Sequence, residues 1–235
     1  MIAIRVEDGT TMSAYLDRPK TLKTSTAVIV VHELFGVSPD IRGLVDELAG
    51  EGILAVAPEF YHRDAPAGLW FERNDDGRAS AFEQLHLLQR DSAVLDVAGA
   101  IERILEEPGI DNVAVLGFSA GGHLAYLAAT QLPISTTIVL YAGWLPTTEI
   151  PLGRPEPTLS LTSGIRGRLV YLVGEDDALI DAGQRAEIEA ALDGVDGEVV
   201  TYPGAAHAFF WAGTPPYDEA ARTDAWRRIL TEVGV

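Results

Sequence analysis

Short runs of consecutive apolar residues alternate along the chain with longer segments whose apolar positions recur at helical spacing. Residues 27–31 and 53–57 are apolar throughout, a pattern typical of strands buried on both faces of a sheet. Between them, residues 39–51 predict an amphipathic helix that stops at Gly52. A strand, a helix and a second buried strand in this order indicate a parallel sheet with helices packed on it.

The same alternation continues beyond this first unit. Strands are predicted at residues 112–117, 137–141, 168–173 and 198–202, and helices at residues 81–107 (with a break near Asp91), 120–131, 182–192 and 217–233. We therefore predict an α/β fold with a mostly parallel central sheet flanked by helices. Because neither an internal repeat nor a linker divides the chain, residues 1–235 are expected to form a single domain.

Two long polar segments interrupt the alternation. Residues 61–80 contain Pro, Gly and many charges around Trp70 and Phe71, and residues 142–167 are also rich in Pro and Gly. Loops of this length in compact domains are often functional. We expect residues 61–80 to form a lid or insert.

Residues 117–121 read Gly-Phe-Ser-Ala-Gly and lie where a predicted strand ends and a predicted helix begins. This is the setting in which a G-x-S-x-G motif forms a nucleophile elbow. Flanking side chains would clash in so tight a turn, and the start of the helix presents backbone N–H groups beside the serine hydroxyl. Ser119 is therefore the candidate nucleophile, and the alternative is a glycine-rich turn with a surface serine.

A serine nucleophile needs a base, which in this kind of fold follows it along the chain. Only two histidines follow Ser119. His123 falls within the predicted helix, where a packing role is expected. His207 lies in a small-residue loop after the last predicted strand and is the predicted base, against the alternative of a solvated loop histidine.

The acid that orients the base is expected after the strand at residues 168–173. Four carboxylates compete there, at Glu175, Asp176, Asp177 and Asp181. The glycine turn followed by two loop residues favours Asp177, with Asp176 as the rival. Asp181 fits a helix N-cap.

An oxyanion site should combine the amide of Ala120 with one from the loop after the first long strand. The backbone N–H of Leu34 is the candidate in that loop. The neighbouring Glu33 is unusual, because a carboxylate beside an oxyanion opposes the charge that develops there. It must be paired, protonated or used to hold a neighbour, unless it is simply a solvated loop residue.

Composition narrows the range of partners. The chain carries 17 basic and 35 acidic side chains, a formal net charge of −18, which repels nucleic acid and anionic lipid. We therefore expect a small-molecule substrate and neither nucleic-acid nor membrane partners. The absence of Cys excludes disulfides, thiolate metal sites and a cysteine nucleophile. The first ten residues do not resemble a signal peptide, so a cytoplasmic location is expected.

Five motifs together resemble the dienelactone hydrolase family of α/β-hydrolases. They are His-Glu-Leu-Phe-Gly at residues 32–36, Pro-Glu-Phe-Tyr at 58–61, Gly-Phe-Ser-Ala-Gly-Gly at 117–122, Gly-x-x-Asp at 174–177 and Gly-Ala-Ala-His-Ala-Phe at 204–209. The resemblance extends from about residue 27 to the terminal helix and implies the α/β-hydrolase fold with ester or lactone hydrolysis. In that family a Glu in the first motif interacts with the nucleophile and a nearby arginine, which would explain Glu33.

Two positions depart from the family pattern. The founding members have a cysteine nucleophile, so with Ser119 the chain resembles the family's serine members. They also anchor a substrate carboxylate with two arginines; Trp211 stands at the position of one, and Arg78 matches the other. Because an indole cannot replace a bidentate guanidinium, we expect neutral, apolar esters of modest size as substrates.

The remaining expectations concern the pocket and its occupants. Phe35, Trp144 and Trp211 are expected near the substrate, since α/β folds bind ligands at loops that follow strands. No metal or organic cofactor is expected. Lactone or thioester hydrolysis would use the same machinery, and a non-catalytic ligand-binding protein is the alternative from another class. Monomer and homodimer both remain open.

Overall fold

A computed structural model, which describes all 235 residues, contains one eight-stranded sheet. Its strands are β1 (Ile2–Arg5), β2 (Thr11–Asp17), β3 (Thr26–Val31), β4 (Ala55–Pro58), β5 (Asn112–Phe118), β6 (Thr136–Leu140), β7 (Arg168–Gly174) and β8 (Gly197–Tyr202). They are ordered β1-β2-β4-β3-β5-β6-β7-β8, and β3 to β8 are parallel. The predicted mostly parallel sheet is confirmed.

The hydrophobic pattern did not predict β1 and β2, which form an antiparallel pair at one edge of the sheet. β1 has only four residues, and of β2 only Met12 and Ala14 are fully buried. Such strands are covered on one face. They lack the continuous apolar run that identifies the central strands.

Six α-helices flank the sheet. They are α1 (Pro39–Gly50), α2 (Asp75–Leu87), α3 (Arg90–Leu105), α4 (Ala120–Gln131), α5 (Ala182–Leu192) and α6 (Glu219–Glu232). Helices α4 and α5 begin and end at the predicted residues. Short 3-10 helices at Pro151–Gly153 and Thr158–Gly164 add structure to the loose segment predicted at residues 142–167.

Only the first part of residues 61–80 is loop, whereas the sequence suggested that the whole segment is. Helix α2 begins at Asp75, six residues before the predicted helix start, because the Asn74 side chain caps it by accepting a 2.8 Å hydrogen bond from the Gly77 amide. The preceding loop is tied to the body of the protein. The Gly68 amide donates to Glu59, and the Phe71 amide donates to the carbonyl of Phe35.

One continuous cluster of 69 buried apolar residues fills the interior on the sheet's two faces. None of the helices combines the length and apolar character needed to cross a bilayer. Because β3 and β5 to β8 are parallel, the loops that leave their carboxyl ends meet at one edge of the sheet. Ser119, the loop after β3 and the loops after β7 and β8 all lie at this edge.

Candidate active site

Ser119 occupies a sharp turn between β5 and α4. Its backbone has φ 51° and ψ −117°, a region that side chains other than glycine rarely adopt. Glycines on both sides make the turn possible. A Cβ on Gly117 would overlap the backbone of Gly121, and a Cβ on Gly121 would overlap the carbonyl oxygens of Val31 and His32. The serine is thus held in a strained conformation where α4 meets the end of β3.

Three side chains from distant parts of the chain form a hydrogen-bonded series at this edge. His207 Nε2 lies 3.0 Å from Ser119 Oγ, and His207 Nδ1 lies 2.8 Å from Asp177 Oδ2. Because a carboxylate only accepts, Nδ1 carries the ring proton, so Nε2 is free to accept from the serine hydroxyl. A hydroxyl, an imidazole and a carboxylate in this order can activate the oxygen as a nucleophile.

Asp177 is oriented as well as buried. Its side chain has no exposed surface, and its second oxygen, Oδ1, accepts a 2.9 Å hydrogen bond from the Leu179 amide. The rival Asp176 is exposed, and only its backbone amide is bonded, donating to the Ala205 carbonyl. Asp181 accepts from the Gln184 amide and caps α5, as its spacing predicted.

Two backbone amides near Ser119 are free of partners. Neither the N–H of Leu34 nor that of Ala120 donates a hydrogen bond within the protein. Ala120 is the first residue of α4, where an amide has no acceptor in its own helix. Leu34 and Ser119 line the same cavity, and Ala120 directly follows Ser119 at the start of α4.

Glu33 is buried beside the cavity and is paired on both of its oxygens. Arg73 lies 2.6 Å from Oε1, and the indole N–H of Trp211 donates a 3.0 Å hydrogen bond to Oε2. Burial raises the pKa of the Glu33 carboxyl, while Arg73 and Trp211 act in the opposite direction. Of the possibilities that the sequence left open, the structure shows pairing, and the carboxylate also holds its two neighbours.

Sequence reasoning missed Arg73. Its guanidinium lies between the rings of Phe35 and Trp211, 5.3 and 5.4 Å from their centroids, and it also contacts Asp40 at 3.0 Å. A buried carboxylate requires a cation nearby. That rule, applied to Glu33, would have directed attention to the arginines of the long loop, although it could not have selected among them.

The cavity in front of Ser119 has a volume of about 730 Å³. One wall is cationic, formed by Arg73 and by Arg78, which makes no ion pair. The other is apolar, with Phe82 and Trp144 packed edge to face at 6.3 Å between ring centroids. An acidic chain thus presents a cationic surface and an aromatic surface to whatever enters the site.

The model of the dienelactone hydrolase family matches residues 12–233 of the chain. This protein belongs to that family. A Rhodococcus opacus protein named carboxymethylenebutenolidase is 28% identical over 228 residues, covering 94% of this chain and 86% of the relative. A Synechocystis protein provisionally given the same name is 30% identical over 228 residues, covering 93% and 89%.

The fold of this protein is also shared with a solved structure. A provisionally named dienelactone hydrolase from Klebsiella pneumoniae has a TM-score of 0.85 at 27% identity, covering 99% of this chain and 98% of that one. The protein is therefore a hydrolase of the dienelactone hydrolase type with an α/β-hydrolase fold. No group of three or more His, Asp or Glu side chains is arranged to hold a metal ion.

The other predicted residues of the site fall into two groups. Phe35, Arg78 and Trp144 line the cavity with Glu33, as expected. Trp211 does not line the cavity. Its buried indole packs on Phe118 and donates its N–H to the Glu33 carboxylate. Arg73, from the loop before α2, nevertheless places a guanidinium 5.4 Å from the centroid of the Trp211 ring, so a cation lies beside the position at which the family has an arginine.

His123 has the packing role expected of it. It is fully buried on α4, with ring nitrogens 2.9 Å from the Gly143 carbonyl and 2.8 Å from Thr158 Oγ1. Burial lowers the pKa of His123 to about 4, so the ring is neutral at neutral pH. It holds the loop from which Trp144 reaches the cavity.

Proposed function

We propose that this protein hydrolyses carboxylic esters of small molecules through an acyl-enzyme intermediate. Ser119 is the nucleophile, His207 is the general base, and Asp177 orients the imidazole. The observation that carries the proposal is the continuous series of 3.0 and 2.8 Å contacts from Ser119 through His207 to Asp177. The strained φ of Ser119 supports the same reading, because backbone strain of this kind clusters at functional sites.

Each step of the reaction follows from this geometry. Ser119 Oγ attacks the ester carbonyl while its proton passes to His207 Nε2, and the carbonyl oxygen becomes an oxyanion bound by the amides of Leu34 and Ala120. The intermediate collapses, the alcohol leaves with the proton from His207, and an ester joins the acyl group to Ser119. Water, deprotonated by His207, then attacks that ester; the bond from the acyl carbon to Ser119 Oγ breaks, His207 returns the proton to Oγ, and the carboxylic acid is released.

Lactone hydrolysis is the second candidate, and one observation favours it. The name carboxymethylenebutenolidase, carried by the Rhodococcus relative, denotes cleavage of a butenolide ring that bears a carboxylate. Arg78 in the cavity wall has no anionic partner within the protein and could pair with such a group. The aromatic wall of Phe82 and Trp144 supports the alternative preference for neutral, apolar esters.

The test compares two substrate classes in the wild type and two variants. A p-nitrophenyl ester series from C2 to C12 reports neutral esters, and a carboxymethylene butenolide with its methyl ester reports the effect of the carboxylate. Ser119→Ala should remove turnover of every substrate by several orders of magnitude. Arg78→Gln should raise KM for the charged lactone at least tenfold and leave its methyl ester unchanged if the lactone is a true substrate.

Each outcome has a definite reading. Turnover of the neutral series alone would select the ester function, and preferential turnover of the charged lactone would select the second candidate. Retained activity in Ser119→Ala would refute the assigned nucleophile. Absence of turnover, together with failure of a fluorophosphonate to label Ser119, would instead favour a non-catalytic ligand-binding protein.

A further inference from the structure

His32 is a buried histidine that the proposed reaction does not use. It directly follows β3 and is almost fully buried. Its Nδ1 lies 2.7 Å from the carbonyl oxygen of Glu33, and its Nε2 accepts a 3.3 Å hydrogen bond from the Phe60 amide. Because that amide can only donate, Nε2 carries no proton. Nδ1 is then the protonated nitrogen, and it donates to the Glu33 carbonyl.

This hydrogen bond, the shorter of two that the Glu33 carbonyl accepts (the Gly36 amide donates the other at 3.3 Å), helps to fix the direction of a neighbouring amide. The carbonyl of Glu33 and the N–H of Leu34 belong to one planar trans peptide, in which the two bonds point in opposite directions. A donor that holds the carbonyl on the His32 side therefore aims the Leu34 N–H away from His32. The next peptide is held in the same manner, since Tyr61 donates a 2.8 Å hydrogen bond to the Leu34 carbonyl.

The opposite side of this peptide is the cavity that contains Ser119. Glu33 and Leu34 both line it, and the Leu34 amide has no acceptor within the protein. The loop also abuts the start of α4, because the His32 carbonyl lies where a Cβ of Gly121 would be. The turn that presents Ser119 is thus packed against the peptide that directly precedes the one oriented by His32.

We propose that His32, assisted by Tyr61, is a positioning residue that aims the Leu34 N–H at the oxyanion formed on the substrate carbonyl. His32 itself touches neither the substrate nor the reacting atoms. The inference rests on the proposed function, because it concerns the oxyanion of the Ser119 reaction. Burial lowers the pKa of His32 to about 4, which keeps the ring neutral and its single N–H on Nδ1 at neutral pH.

A matched pair of substitutions separates the hydrogen bond from packing. His32→Asn retains an N–H at a position close to Nδ1, whereas His32→Leu has nearly the same branched shape and no donor. Removal of an oxyanion donor costs about 100- to 1000-fold in kcat, and a misdirected donor should cost about 10- to 100-fold. We expect that loss in His32→Leu with KM within about twofold, and a kcat within about fivefold of wild type in His32→Asn.

An inhibitor that forms an oxyanion provides a readout that a purely structural role would not move. A trifluoromethyl ketone adds to the serine as a tetrahedral hemiketal, so its affinity should fall in His32→Leu by the same factor as kcat. Tyr61→Phe removes one hydroxyl and serves if His32→Leu does not fold. It should lower kcat and inhibitor affinity together by about three- to tenfold.

The outcomes keep this inference separate from the proposed function. Wild-type turnover that is lost in Ser119→Ala, combined with equal losses in the Asn and Leu variants, would overturn the role of His32 alone. An unchanged kcat in His32→Leu would also overturn it, and so would a loss confined to KM. If His32→Leu does not fold, an unchanged kcat in Tyr61→Phe would overturn it. A wild type that neither turns over esters nor binds the ketone would overturn both.

Discussion

The ion pair between Glu33 and Arg73 makes a quantitative prediction about stability. Arg73→Gln removes the cation but leaves the Glu33 carboxylate, which is 3% exposed, beside the cavity. Trp211 still donates one hydrogen bond to it. The variant therefore contains a buried anion with a single neutral donor, a condition that the wild-type fold avoids.

The size of the effect can be bounded from two directions. Removing one partner of a buried pair costs about 3–5 kcal/mol, but the Arg73 side chain is 25% exposed and water can partly replace it. Protonation of Glu33 sets a ceiling. The carboxyl can take up a proton instead of remaining charged, and at pH 7 this costs about 3 kcal/mol for an ordinary pKa of 4.5, at about 1.4 kcal/mol per pH unit. The cost of leaving the charge unpaired cannot exceed that value. We expect Arg73→Gln to lower the free energy of unfolding by about 2 kcal/mol at pH 7.

The pH dependence identifies the cause. Burial already raises the pKa of Glu33, and loss of Arg73 raises it further. An acid whose folded-state pKa is raised loses stability as the pH rises through that pKa. The deficit of Arg73→Gln should therefore be largest near pH 8 and should shrink as the pH is lowered toward the ordinary carboxyl pKa of 4.5, because Glu33 takes up a proton above that pH.

Equilibrium urea unfolding at several pH values measures this deficit. Arg78→Gln is the matched control, since Arg78 lines the same cavity without an ion pair, and its substitution should stay within about 0.5 kcal/mol of wild type. Adding Glu33→Gln to Arg73→Gln should remove the pH dependence of the deficit. The reasoning is refuted if Arg73→Gln and Arg78→Gln are equally stable, or if the deficit does not vary with pH.

Three further predictions follow from single contacts. Asp177→Asn should lower kcat about 10⁴-fold with little change in KM, measured by ester kinetics at pH 7. The Leu179 amide keeps the side-chain oxygen and turns the NH₂ toward His207, so the ring proton moves from Nδ1 to Nε2 and the base is lost. Gly121→Ala should abolish soluble folded protein, whereas Gly143→Ala, with open space around its Cβ, should unfold like wild type by circular dichroism. Burial lowers the pKa of His123 to about 4, so between pH 6.5 and 4 the unfolded form binds a proton and the folded form does not; wild-type stability should therefore decrease as the pH is lowered through this range. In urea unfolding, the slope of stability against pH should be smaller by about 1.4 kcal/mol per pH unit in His123→Gln than in the wild type, and equal slopes would contradict the assignment.

The structure brings together the residues that local sequence signals indicated, and it adds contacts that no local signal indicated. The motif around Ser119 depends on steric limits within a few residues, and the structure brings His207 and Asp177 to that serine as the chain order suggested. The choice of Asp177 over Asp176 rested on turn spacing alone. It is the folded loop that directs the Asp177 carboxylate to the imidazole and leaves Asp176 exposed.

The partner of Glu33 illustrates what could not be predicted. Glu33 contacts Arg73 and Trp211, which lie 40 and 178 residues further along the chain. Matching to the family's motif positions led to the expectation that Trp211 marks a lost arginine. A guanidinium supplied from another loop satisfies the same carboxylate, because electrostatics depends on distance in space and not on sequence position.

The sequence by itself determined the alternation of buried strands and helices and the position of the serine turn, since both arise from local periodicity and steric exclusion. It did not determine the edge strands β1 and β2, whose half-buried pattern is weak, or the early start of α2. Only the tertiary structure decided which carboxylate meets His207, which arginine neutralises Glu33, and how His32 orients the peptide of Leu34. These are contacts between side chains and backbone groups brought together by parallel crossovers, and their geometry exists only once the whole sheet has formed.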